Sequence, residues 1–150
     1  MSLTNIFDIA GSGMAAQSIR LNTTASNIAN ADSASSSTDE VYRARKPIFS
    51  AIQQDAMSQA LGGFSGGMDS GLPASQGVQI NGIIESDAPL NMRYQPDHPM
   101  ANEGGYVMYP NVNVVEEMAD MLSASRSFQT NVSVMDSAKT MMQRLLTLGQ

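Results

Sequence analysis

The chain has no cysteine, no tryptophan and a single histidine, His98, in 150 residues. Without thiols there is no disulfide scaffold, no cysteine-ligated zinc and no thiol nucleophile, and the redox state of the compartment is immaterial. One imidazole cannot build a His-rich metal site. Four Tyr and four Phe supply few anchors for one large compact core. Charge is scarce as well: Asp, Glu, Lys and Arg make up 15% of the chain, against about 25% in an ordinary soluble domain. The charge that remains is acidic, with a formal net of −6, which disfavours a phosphate backbone as partner. Long hydrophobic runs are missing too. Ile9–Ile19 and Leu21–Ala31, the longest uncharged stretches of the amino-terminal third, are too short and too polar to span a bilayer. Residues 1–20 lack the basic start and continuous apolar core of a cleaved leader, and Asp8 stands where that core would begin. Export by a route that reads no cleaved leader is the expectation.

Present in quantity are small and neutral polar residues, together with 12 methionines. Covering Ser, Thr, Asn and Gln against a neighbour avoids the desolvation cost of ions. Such a surface is suited to assembly.

The first 31 residues read as one helix. Leu3, Phe7, Ala10, Met14, Gln17, Leu21, Thr24, Ile28 and Ala31 follow steps of four and three, a heptad seam. Leu3 to Asn30 would measure about 42 Å. At the other end, Asn113 with Glu116 three residues on resembles a capping box. Val114, Met118, Met121, Ser125, Phe128, Val132, Met135, Lys139, Met142 and Leu146 then repeat the four–three spacing. This helix, Val114 to Leu148, would reach about 52 Å. Acids open it, and Lys139 and Arg144 fall near its close, as the helix dipole favours.

The middle has another texture. Ser33–Thr38 is a serine-rich break, and Tyr42–Ile52 and Val78–Ile84 are strand-like. Residues 62–77 read as a flexible Gly/Ser-rich loop, and Pro89, Pro96, Pro99 and Pro110 prevent continuous helix after it. The expected fold is α+β. A helix at 1–32 and a helix at 112–150 pack as a coiled-coil domain around a β-rich, loop-heavy segment at 33–111.

No catalytic constellation emerges. His98 beside Asp97, between Pro96 and Pro99, reads as a rigid turn, and no G-x-S-x-G elbow accompanies it. The acidic pairs Asp39/Glu40, Glu85/Asp87 and Glu116/Glu117 read as loop, strand edge and helix start. No ligand spacing suggests a metal, and no cofactor is expected. Arg43, Arg45 and Lys46 form the one basic cluster, read as a solvated or partner-facing strand. Gly11-Ser12-Gly13 follows no strand, so these small residues serve close helix approach and not a dinucleotide. The chain is expected not to be an enzyme.

The stretch SGMAAQSIRLNTTASNIANADS, Ser12 to Ser33, resembles the signature shared by rod, hook and hook-associated proteins of the bacterial flagellum. MRYQPDHPMANEGGYVMYPNVNVVEEMADM, Met92 to Met121, is more specific and resembles the proximal-rod branch of the basal-body rod family. SASRSFQTNVSVMDSAKTMMQRLLTLGQ completes the likeness. The resemblance implies a structural subunit, exported unprocessed by the flagellar type III apparatus, polymerising into the rod that crosses the periplasm. That rod transmits motor torque and surrounds the export channel. Implied partners are the chain itself, other proximal and distal rod proteins, the rod-base adaptor and membrane ring, and the export apparatus. Neither nucleic acid nor membrane insertion is implied. Taken with the two seams, it nominates an assembly interface of Leu3, Phe7, Met14, Leu21 and Ile28 with Val114, Met118, Met121, Phe128, Val132, Met135, Met142 and Leu146. Rival readings are another axial rod or hook-type subunit and a secreted helical binding protein.

Overall fold

A computed structural model describes residues 3–37, 40–52 and 77–148. The glycine-rich loop expected at 62–77 lies outside the described residues except for Gly77, and Asp39 lies outside them too. Helix α1 spans Leu3–Ala29 and helix α2 Val114–Leu148, with strands β1 Arg45–Ile52, β2 Gly77–Glu85, β3 Asn91–Tyr94 and β4 Tyr106–Tyr109 between them. The layout is α+β.

Residues 30 and 31, expected as helix, form a turn instead. The Asn30 carboxamide donates to Ser26 O at 2.8 Å and the Ala31 N–H to Ile28 O at 3.2 Å. These bonds tighten the last turn and satisfy carbonyls that a helix end leaves open. At the start of α2 the Asn113 Oδ1 accepts from Val115 N–H at 3.1 Å, which is an N-cap. The reciprocal half of the expected box is absent among the described residues: Glu116 reaches sideways to Lys46 Nζ at 3.4 Å.

The helices pack side by side and antiparallel. Ile6 shares a groove with Val134 and Met141, Gly13 lies against Asn131, and Arg20 Nη2 meets Asp120 Oδ1 at 2.6 Å. A Cβ on Gly13 would stand 2.9 Å from Asn131 Nδ2, whereas one on Gly11 would meet nothing within 4 Å. Of the two glycines, Gly13 is the one that admits the neighbouring helix.

On its other side α1 carries the antiparallel β1–β2 hairpin, with Arg45 opposite Glu85, Ile52 opposite Gly77 and a bulge between Ile48 and Phe49. The helix is thus the middle layer. Ser12 Oγ accepts from Val78 N–H at 3.1 Å near one end of the hairpin. At the other end the Asn27 carboxamide grips the backbone of Arg45 from both sides, at 2.8 and 3.0 Å.

Strands β3 and β4 form a second antiparallel hairpin, Asn91 opposite Tyr109 and Tyr94 opposite Tyr106. Four prolines spread over residues 89–110 disguise it in the sequence, but Pro89, Pro96, Pro99 and Pro110 all fall outside the two short strands. Pro cannot donate to a ladder, and none is asked to. This hairpin is tied to the end of the molecule where α1 stops and α2 begins, through a backbone bridge between Ser35 and Met108.

Candidate assembly surface

The α1–α2 contact is lined by small and polar side chains. Ala10, Thr24, Glu117, Ala124 and Ala138 are buried, and Gln17 Oε1 is buried with no hydrogen-bond partner among the described residues. A stripe of this kind lets two backbones approach closely, but it buries little apolar area per residue.

The expected seams divide accordingly. In α1, Phe7, Met14, Leu21 and Ile28 are half-buried, while the side chain of Leu3 lies outside the described residues. In α2, Val114, Met121, Phe128, Met135 and Met142 are half-buried. Met118, Val132 and Leu146 instead face solvent, at 56%, 36% and 69% exposure. Three of the eight α2 residues nominated for the interface are thus exposed in the single chain. The buried face is rotated toward Glu117, Ala124, Asn131 and Ala138, each seven residues from the next. The physical reason is size: antiparallel backbones brought together at Gly13 leave room for alanine and not for methionine.

Large apolar residues are displaced from that face, one set beside it and another toward the opposite side of the helix. With 100° per residue, Val115, Met118 and Leu122 share one side of α2, and Val134, Met141 and Leu145 share another. All six are exposed. Periodicity could have revealed them, since α2 carries apolar residues at more positions than a single heptad seam can hold.

Polar groups fix the middle segment. Asn111 Oδ1 accepts from Ala44 N–H at 2.8 Å, while its Nδ2 donates to Ala88 O at 2.9 Å. Arg45 pairs with Glu85 at 2.9 Å and lies over the Tyr42 ring, 5.3 Å from its centre. Arg43 donates to Ser86 O at 3.2 Å. The basic cluster is therefore engaged within the chain. Around His98 a turn forms, as the sequence suggests: Gln95 O accepts from His98 N–H, and His98 Nδ1 accepts from Met100 N–H, each at 3.1 Å. Neither a metal-binding cluster of His, Asp and Glu nor a helix long and apolar enough to cross a membrane occurs among the described residues.

Sequence reasoning passed over Asn27, Asn111 and Ser12. Their signal is chemical more than periodic: a buried carboxamide or hydroxyl must find partners, and backbone groups at strand ends supply them.

Two family models match the chain on either side of the α1–α2 contact. One, described as "Flagella basal body rod protein", covers residues 7–34. Its companion, "Flagellar basal body rod FlgEFG protein C-terminal", covers residues 103–148. Among curated relatives, the flagellar basal-body rod protein FlgC of Salmonella typhimurium is 48% identical over the full length of both chains. FlgC of Escherichia coli is 47% identical, again over the whole of both. FlgC of Borreliella burgdorferi retains 34% identity over all of this chain and 99% of its own. Full-length identity at this level, with the two matched segments taking in most of both helices, shows that the chain belongs to the flagellar basal-body rod protein family.

Proposed function

We propose that the chain is a structural subunit of the proximal rod, which polymerises through its terminal helices into the periplasmic shaft and performs no catalysis. The observation that carries this reading is the inverted distribution of side chains on α2. Small residues face its own α1, whereas Val115, Met118 and Leu122 on one flank and Val134, Met141 and Leu145 on the other are exposed. Monomers seldom expose contiguous apolar stripes; where they do, the stripes mark interaction surfaces. Two apolar faces besides the one that α1 covers suit a tube, in which each helix has several neighbours. Supercoiled packing of helices from several copies follows from the seven-residue spacing.

Methionine on these flanks adapts to non-identical neighbours, because its unbranched thioether fills gaps of different shape. The partners on this reading are the chain itself, adjoining rod proteins, the rod-base adaptor and ring, and the export apparatus that delivers it. Torque would be shared by many weak helical contacts along about 50 Å of α2, so that no single contact yields first.

Expression as the sole copy in a flagellated strain lacking its own proximal-rod protein tests the reading. Motility and a rod containing the chain in purified basal bodies are expected. A complete rod without the chain, or chain retained in the cytoplasm beside normal flagella, overturns it.

A further inference from the structure

The β1–β2 sheet has only two strands, so each strand has an outer edge. The two edges are not alike. In an antiparallel pair, opposed residues alternate between exchanging their hydrogen bonds and turning both backbone groups outward. Ser86 N–H donates to Ala44 O at 2.8 Å, which makes Ala44 and Ser86 an exchanging pair. Arg45 therefore turns outward, and Asn27 takes both of its backbone groups there. Two residues on, Pro47 also falls at an outward position, opposite Ile83, and has no N–H to offer. The outer edge of β1 is thus closed at its start, by a carboxamide and then by a proline.

The outer edge of β2 is engaged near its beginning, where Val78 N–H reaches Ser12 Oγ at 3.1 Å. Its other end is open. By the same alternation Ile83, opposite Pro47, and Glu85, opposite Arg45, turn N–H and C=O outward. Neither residue's outward groups find a hydrogen-bond partner among the described residues. No described helix or strand other than α1 and β1 packs against β2. Helix α1 is seated over the β1 edge through Asn27, and toward β2 it leaves a groove of about 240 Å³. Ile19, Asn22 and Ser26 wall this groove on the helix, and Ile83 lines it on the sheet. Ile19 is 39% and Ile83 50% exposed. Open edge and apolar groove therefore meet at one residue, Ile83.

We propose that β2 takes a third strand along Ile83–Glu85, an extended segment of a different rod protein. Its backbone pairs with the outward groups of Ile83 and Glu85, and one apolar side chain enters the groove between Ile19 and Ile83. In strand addition of this kind the ladder supplies affinity, and a pocket for alternate side chains supplies specificity. An open edge is a hazard that folds usually suppress, and the other edges here are suppressed. Asn27 and Pro47 blunt β1, and Ser35 takes both outward groups of Met108 in β4, at 3.1 and 3.3 Å. Strand β3 is four residues long between Pro89 and Pro96. The described strands of a second copy thus offer β2 no long free edge except another β2. That pairing is isologous and closes as a dimer, which a growing shaft cannot use. The added strand accordingly comes from a different chain. The inference rests on the chain being a rod subunit and adds where, and by which backbone form, a neighbour is joined.

Ile83→Pro tests the ladder. At an outward position proline removes no bond inside the hairpin, as Pro47 shows from across the pair. The purified variant is expected to melt close to the wild-type temperature and, as the sole copy in the cell, to lose swarming. Ile83→Val keeps the N–H and a branched apolar side chain, and is expected to swarm. Normal swarming by Ile83→Pro overturns the proposal. A second arm does not depend on how that variant folds. Ile84 points to the face of the sheet away from the groove, and it is replaced by the photo-cross-linker p-benzoylphenylalanine. Irradiation of purified basal bodies is expected to join the chain to one different rod protein, at a segment that mass spectrometry locates. Adducts only between copies of this chain, or none from rods that contain it, overturn the added strand and leave the rod assignment intact. Absence of the unsubstituted chain from rods overturns both.

Discussion

The Asn27 side chain does for Arg45 what a neighbouring β-strand would do. Its Nδ2 donates to Arg45 O at 2.8 Å, its Oδ1 accepts from Arg45 N–H at 3.0 Å, and the same Oδ1 accepts the Tyr42 hydroxyl at 2.8 Å. Asn27 is 1% exposed. A helix thereby starts a strand: the carboxamide closes a two-bond ring on the first residue of β1 and fixes where the hairpin begins along α1. Only Asn and Gln carry an N–H donor and a carbonyl acceptor on one planar amide, as the backbone does, and Gln is longer by one methylene.

Removing this clamp is costly. Asn27→Ala leaves the Arg45 N–H and C=O without their partner in a part-buried site, where each group left unmet costs up to about 1–3 kcal/mol. Asn27→Asp keeps the acceptor but loses the donor and turns a carboxylate toward Arg45 O. Tyr42→Phe removes one hydrogen bond worth about 0.5–1.5 kcal/mol. Urea denaturation followed by circular dichroism is expected to rank the variants wild type, Tyr42→Phe, then both Asn27 variants. Equal midpoints for wild type and Asn27→Ala would show the clamp to be incidental.

Gly11 and Gly13 invite opposite expectations although they lie two residues apart. In an exposed helix interior Gly→Ala gains about 1 kcal/mol. Gly11→Ala is expected to realise this, since its Cβ would meet nothing within 4 Å. Gly13→Ala must displace Asn131, whose Nδ2 would lie 2.9 Å from the new Cβ. Its stability is expected to fall below that of Gly11→Ala by about the same 1 kcal/mol. Asn131→Ala on the Gly13→Ala background is expected to close the gap, which thermal melts of the four variants measure. A gap that persists would place the cost somewhere other than this contact.

Gln17 illustrates what a heptad pattern can and cannot disclose. The four–three spacing placed it on the seam, and the structure buries its Oε1 there without a partner among the described residues. The α+β layout, both helix positions and the strands at 45–52 and 77–85 were legible in the same way, because period and β-branched runs are local signals. The rotation of α2 about its axis was not legible. Which of several apolar stripes meets α1 depends on how closely the backbones approach at Gly13, a tertiary quantity. Strands β3 and β4 were hidden for a different reason, four residues each being too short to show alternation between flanking prolines.

Replacing that unsatisfied acceptor is expected to stabilise the chain. Gln17→Leu keeps comparable volume, removes the unmet oxygen and adds apolar burial, a gain of about 1–3 kcal/mol. A higher melting temperature of the purified subunit is the measurement. A lower one would mean that the Gln17 amide N–H groups contribute more than the stranded Oε1 costs.

The two kinds of α2 residue separate folding from assembly. Phe128 and Met135 are half-buried beside α1, whereas Met118 and Leu122 are 56% and 54% exposed and touch solvent in the single chain. Phe128→Asp and Met135→Asp therefore place a carboxylate against a folded neighbour within the same molecule. Both are expected to lower the melting temperature and to abolish motility together. Met118→Asp and Leu122→Asp are expected to leave the melt nearly unchanged and still abolish rod assembly, because the charge is desolvated only when another copy covers the flank. Ser133→Asp is the control: it adds the same charge at an exposed α2 position whose neighbours three and four residues away, Gln129, Thr130, Asp136 and Ser137, are all polar. Cells carrying it are expected to swarm. Melts of purified chain, immunoblots for export and basal-body purification read the three effects independently. Normal rods from Met118→Asp and Leu122→Asp would remove that flank from the assembly surface. Loss of rods from Ser133→Asp as well would mean that α2 is covered beyond its apolar faces.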